Sequence, residues 1–106
     1  MAYSRDQIIS DLKNLVLELK KRHDIRAAYL FGSHARGNPG RYSDVDIAIV
    51  LGPYRDGSPM DERFEIFHEV QQRNSLFEVL CLTEDEFKNG EMLIVRHIKN
   101  EGIRIL

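Results

Sequence analysis

The run SDVDIAIVL, residues 43–51, constrains the fold more than any other stretch of the chain. Its apolar residues alternate. In extended backbone Val45, Ile47, Ile49 and Leu51 point one way, and Asp44, Asp46, Ala48 and Val50 the other. The strand therefore carries two carboxylates on one face at its mouth, about 6.5–7 Å apart along the chain. Like charges that close call for a cation, or one of them takes up a proton.

The segments on either side supply helices and further strands. Ser4 with Gln7 makes a capping box, and Ile8, Ile9, Leu12, Leu15, Val16 and Leu19 recur at helical spacing. Together they predict an amphipathic helix over 5–23. IRAAYLF follows as a strand ending at Gly32, Ser33 to Arg36 reads as a helical turn, and NPGRY as a loop. After the loop GPYRDGSP, Ser58 is placed as N-cap with Pro59 at the first helical position. Residues 59–73 then read as a charged helix with Phe64, Phe67 and Val70 on its apolar face. LFEVLCL is a third strand. Thr83 and Glu86 make a second capping box for helical structure running to about Asn100, with a break near Gly90, and IRIL after Gly102 is a short last strand. This order of elements predicts an α+β (two-layer α/β) sandwich with a mixed sheet.

At 106 residues the chain is expected to be one domain, 1–106, with a core that needs no staples. A formal net charge of −2 argues against gripping nucleic acid through a broad basic surface. The single Cys81 lies in an apolar run and reads as a small buried hydrophobe. No stretch approaches membrane-spanning length, so a cytoplasmic protein without membrane contact is expected.

Asp44 and Asp46 suit magnesium, which takes oxygen ligands and completes its shell with water and substrate phosphates. Two such ions can clamp the attacking and leaving oxygens of an in-line displacement. The Gly-Ser turn offers the complementary half. Gly32 lets a phosphate approach the backbone, the Ser33 hydroxyl can donate to it, and Arg36 one turn on can reach a phosphate oxygen. Glu78 is the only charged residue in LFEVLCL. If the third strand pairs beside the second, Glu78 faces the aspartates and can hold a metal or accept a proton. Each part has a plain alternative: a common turn, a solvated strand end, a surface arginine, a glutamate on an exposed edge.

Taken together, Gly32-Ser33, Ala35-Arg36-Gly37 and Ser43-Asp44-x-Asp46, with ten residues between Ser33 and Asp44, resemble the signature of the DNA polymerase β-type nucleotidyltransferase superfamily. The closing HIKNEGIRIL is similar to the end of its minimal nucleotidyltransferase (MNT) branch. The resemblance implies a nucleotidyltransferase fold with about four strands in a mixed sheet and helices packed mainly on one face. It implies triphosphate contact at Gly32 and Ser33, and magnesium, as two ions, at Asp44 and Asp46. Glu78 falls where the family carries a third acidic residue, usually aspartate, and its side chain is one methylene longer. The reaction implied moves a nucleotide, AMP from ATP, onto an acceptor hydroxyl.

Larger members of the superfamily carry a second, acceptor-binding domain. With four residues after Gly102 the acceptor is expected to dock directly or to be a protein. The MNT resemblance implies an all-helical HEPN-type partner and an antitoxin role. The alternative is a nucleotide-binding module that neutralises a helical partner by stoichiometric contact. A homodimer and a hetero-oligomer are both compatible with the sequence, and nucleic acid is not expected as a direct ligand.

The remaining residues read as structural. His23, His34, His68 and His97 lack metal-ligand spacing, although His34 lies inside the Gly-Ser turn. Lys20, Lys21, Arg22 and His23 suit the C-terminal end of a helix dipole. Tyr54 and Arg55 read as surface loop. Met92, Leu93, Ile94, Val95 and Ile98 span more than one helical stripe, which leaves some of them for a partner or a second copy.

Overall fold

Both capping boxes form. The Ser4 hydroxyl accepts from the Gln7 N–H at 3.2 Å and opens helix α1 (Arg5–Lys20); the Thr83 hydroxyl accepts from the Glu86 N–H at 3.1 Å and opens α4 (Glu84–Asn89). The other elements are β1 (Ile25–Phe31), α2 (Ser33–Arg36), β2 (Val45–Leu51), α3 (Pro59–Arg73), β3 (Phe77–Thr83), α5 (Leu93–Glu101) and β4 (Ile103–Arg104). This computed structural model describes residues 4–37, 44–53 and 59–106. The NPGRY loop, Tyr54, Arg55 and the N-cap at Ser58 fall outside the described residues.

The four strands form one sheet in the order β3-β2-β1-β4. β1 runs antiparallel to β2 and β4, while β2 and β3 are parallel. The sheet is thus mixed, and the parallel pair needs a crossover, which α3 provides.

The alternation read from residues 43–51 sets the layers. Val45, Ile47, Ile49 and Leu51 join the larger core with the apolar residues of α1 and with Ile66 and Val70 of α3. The two long helices share that face, as expected. Ala48 points to the other face, where Leu82, Val95 and Ile98 form a second, smaller cluster under α4 and α5. Tyr29 and Phe87 stack there at 5.1 Å between ring centroids. Cys81 is buried, as its apolar run implies, and desolvation pushes its thiol pKa up to about 11.

Two expectations need correction. α1 stops at Lys20 rather than residue 23, because the chain turns there and the N–H groups of Arg22 and His23 both donate back to Leu19. His23 is buried with Nδ1 3.1 Å from a Glu62 carboxylate oxygen, and Arg22 is held by Glu69 at 2.7 Å, so part of the basic run ties α1 to α3. The helical structure after Thr83 is broken at Gly90, whose φ is +67°, as expected, and so forms two helices. Val95 and Ile98 are buried, whereas Met92 and Leu93 are exposed. The second correction concerns α3: Val70 is buried as expected, together with Ile66, while Phe64 and Phe67 are 64% and 50% exposed. Ile66 and Val70, four residues apart, take the stripe facing the sheet, and the two phenylalanines stand beside β3 instead.

Candidate active site

The site lies where β1 ends and β2 and β3 begin. In the register across the sheet, Asp46 stands beside Phe31 on one side and Glu78 on the other. The Val45 N–H donates to the Leu76 carbonyl at 2.8 Å and locks the first residue of β2 to the approach of β3. That bond fixes the parallel register, and the register puts Glu78 at Asp46. Glu78 shares its face with Leu80 and Leu82, as Asp46 shares its own with Ala48 and Val50. Asp44 immediately precedes β2 and is exposed; Asp46 is partly buried; Glu78 is exposed.

The carboxylates feel one another. Glu78 has its pKa raised above the usual value, first by a hydrogen bond with Asp44 that only its protonated form can donate, then by the charge of Asp44, by desolvation and by Asp46. Such crowding of acid oxygens suits a hard cation, which would relieve the repulsion. Among the described residues the acidic, histidine and cysteine side chains do not close into a finished metal cage. Magnesium does not require one, since water and substrate phosphates complete its shell.

Gly32 follows Phe31 directly and turns the chain out of β1 with φ +77°. A Cβ added there would strike the Asp46 carboxylate. Glycine is therefore needed for two reasons: the backbone conformation, and the acid group packed over it. α2 starts at the next residue, with the Ala35 N–H donating to the Gly32 carbonyl at 3.1 Å. The side chains of Ser33 and Arg36 lie outside what the structure describes; their backbone belongs to α2.

One residue escaped sequence reasoning. The Arg5 guanidinium, at the start of α1, donates to the Ala35 carbonyl at 2.6 Å and so holds α2 from behind. The two residues are 30 apart in sequence, and no local signal marks the contact. A cleft at the opposite ends of β2 and β3, lined by Gly52, Glu62, Arg63, Thr83, Glu84 and Asp85, is separate from the carboxylates. It lies about 17 Å along the strands from Asp46, and its acidic walls would repel a triphosphate.

A four-stranded mixed sheet with its long helices on one face is the nucleotidyltransferase fold. The chain belongs to the Polymerase beta nucleotidyltransferase family, which matches residues 13–106. It is 26% identical over 98 residues to a Methanocaldococcus jannaschii protein provisionally described as a protein adenylyltransferase, covering 92% of this chain and 98% of that one. In fold it is similar to a crystal structure from Sulfolobus solfataricus, provisionally described as a nucleotidyltransferase. The TM-score is 0.64 at 20% identity, with 94% of this chain and 80% of that chain covered. It is also similar to a chain in the complex of tri-AMPylated Shewanella oneidensis HEPN toxin with MNT antitoxin, with a TM-score of 0.58 at 16% identity. That match covers 92% of this chain and 71% of the other.

Proposed function

We propose that this chain transfers AMP from ATP to a hydroxyl of a HEPN-type protein partner, as the antitoxin of an MNT/HEPN pair. The observation that carries the reading is the placement of Asp46 against both Gly32 and Glu78. It sets acid groups from two strands beside a glycine turn. The partner is argued from likeness to the MNT–HEPN complex, and the transferred group from the adenylyltransferase relative.

In the proposed reaction the acceptor oxygen attacks the α-phosphorus in line. The bond from that phosphorus to the bridging oxygen breaks, and pyrophosphate leaves. Gly32 and Ser33 line the phosphate path, and Arg36 reaches a phosphate oxygen. Magnesium, held by Asp44 and Asp46 with Glu78 as third carboxylate, would neutralise phosphate charge. Glu78, beside Asp46 in the strand register, would hold the metal that activates the acceptor hydroxyl or accept that hydroxyl's proton. Most of the rate is expected from positioning and charge neutralisation.

A second reading has an observation in its favour. Among the described residues the acid groups do not form a finished metal cage, and Glu78 is longer than the usual aspartate. Displacement by about 1 Å can cost a hundredfold in rate, which would leave a nucleotide-binding module that restrains its partner by contact.

One experiment separates the two. The tagged chain is recovered with the protein it binds in its host, and ATP and magnesium are added. The intact mass of the partner is read before and after, with Asp44→Asn in parallel. Mass gains of one or more AMP units, absent with Asp44→Asn, establish transfer. A bound partner of unchanged mass overturns the transferase reading in favour of the binding module.

A further inference from the structure

β3 is one of the two outer strands of the sheet, and its main-chain groups show where its edge is open. The bond from the Val45 N–H to the Leu76 carbonyl sets the parallel ladder, so Glu78, Leu80 and Leu82 turn their backbone groups to β2. Phe77, Val79, Cys81 and Thr83 turn theirs outward. Both ends of this outward row are covered. Gln71 Nε2 donates to the Phe77 carbonyl at 2.6 Å, the Phe77 N–H donates to the Asn74 carbonyl at 3.0 Å, and the Thr83 N–H donates to Glu86 Oε1 at 3.0 Å. Among the described residues, the N–H and C=O groups of Val79 and Cys81 have no partner.

The side chains beside this gap are mostly apolar. Met60, Phe64 and Phe67 of α3, spaced i, i+4 and i+7, line one shallow cleft with Val79, Leu80 and Cys81, and the one charged group there, Arg63, is paired with Glu86 at 3.2 Å. Edge strands are ordinarily blunted by lysine, proline, a bulge or an inward charge. FEVLCLT has neither lysine nor proline, and its single charge, Glu78, is near one end.

We propose that this edge is a homodimer interface, in which β3 pairs antiparallel with β3 of a second copy about a twofold axis at Leu80. The open groups dictate the register. Val79 exchanges both of its bonds with the partner's Cys81, and Cys81 with the partner's Val79, so four main-chain bonds form and none is left open. Leu80 meets the partner's Leu80 in the position between the two bonded pairs. Glu78 falls opposite the partner's Leu82, so no like charges meet.

An axis perpendicular to the sheet puts both α3 helices on one face, where the Phe64 and Phe67 stripes close over the joint. Two half-exposed phenylalanines per copy contribute on the order of 200 Å² per copy. With Met60 and the two strand edges, the total reaches the roughly 1,000 Å² expected of a specific interface. A purely helical partner on this edge would bury the four backbone groups without satisfying them; a second β3 satisfies all four. The result is a continuous eight-stranded sheet with the two carboxylate sites at opposite ends of the joint.

The test uses the full chain. Sedimentation velocity over a concentration series is expected to show a monomer–dimer equilibrium. Phe67→Glu, on an exposed side chain, and Val79→Pro, which removes an outward N–H and leaves the ladder to β2 intact, are each expected to raise the dissociation constant at least tenfold. Circular dichroism checks that both remain folded. Leu80→Cys in a Cys81→Ser background is expected to cross-link on mild oxidation, since facing residues of that kind have Cα atoms about 4.5 Å apart. Leu76→Cys in the same background is expected not to, because the two copies would lie roughly 27 Å apart there. A monomer at every concentration overturns the proposal. So does a dimer indifferent to Phe67→Glu, or equal cross-linking at the two cysteine positions. Failure here leaves the transferase reading untouched, since that reading is tested by the partner's mass.

Discussion

Replacing Gly32 with alanine asks two things of the structure at once, and Gly37 separates them. Both glycines have left-handed backbone, with φ of +77° and +79°. An L-residue in that region costs about 1–2 kcal/mol. Around Gly37 no described atom lies within 4 Å of an added Cβ, so Gly37→Ala should cost only that backbone strain. At Gly32 the added methyl meets the Asp46 carboxylate, which must leave its rotamer for about 0.5–1.5 kcal/mol more. Gly32→Ala is therefore expected to cost about 1.5–3.5 kcal/mol. In an Asp46→Ala background the penalty should fall back to that of Gly37→Ala. The assay is urea unfolding followed by circular dichroism, read as a double-mutant cycle. Equal costs for Gly32→Ala with and without the Asp46 carboxylate would refute the packing of Asp46 on the turn, and with it the site geometry.

The reassignment of the α3 faces is checked by two truncations. Ile66→Ala should lose about 2–5 kcal/mol to a core cavity, while Phe64→Ala in dilute solution should stay within about 0.5 kcal/mol of the parent. Glu86 has its pKa lowered from 4.5, first by the Thr83 backbone N–H, so the stability it confers is complete above 4.5 and is lost as pH falls through the lowered value. Glu86→Gln should flatten that acid limb in a pH series of unfolding curves. Glu78 behaves in the opposite sense. Its folded pKa is raised above 4.5, so the folded state binds more protons, and stability falls as pH rises from 4.5 to the raised value and then levels. Asp44→Asn removes the chief cause and should return the Glu78 carboxyl titration, followed by NMR, toward its ordinary value. Arg5→Ala removes the bond that holds the Ala35 carbonyl, and faster amide exchange within α2 is the expected readout.

Helices, strands and caps were legible because their causes are local. Ser4 with Gln7 and Thr83 with Glu86 lie within one helical turn of each other, and SDVDIAIVL alternates residue by residue. The α3 error has a different origin. Helical spacing puts Phe64 and Phe67 on one apolar face with Val70, and says nothing of which part of that face meets the sheet. The crossover from β2 to the parallel β3 turns Ile66 and Val70 inward and leaves the phenylalanines beside the strand edge.

The sequence by itself determined the candidate residues: the Gly-Ser turn, the two aspartates on one strand face, and a lone glutamate in an apolar strand. Spacing within an element is enough for that, because side-chain direction repeats every two residues in a strand. Only the tertiary structure decided that they belong together. The parallel register of β2 and β3 brings Glu78 beside Asp46, the turn at Gly32 lies under the Asp46 carboxylate, and Arg5 reaches Ala35 from another element. These contacts join residues 14 to 32 positions apart, and they form only when the packing of helices on the sheet fixes which strands are neighbours and in what register.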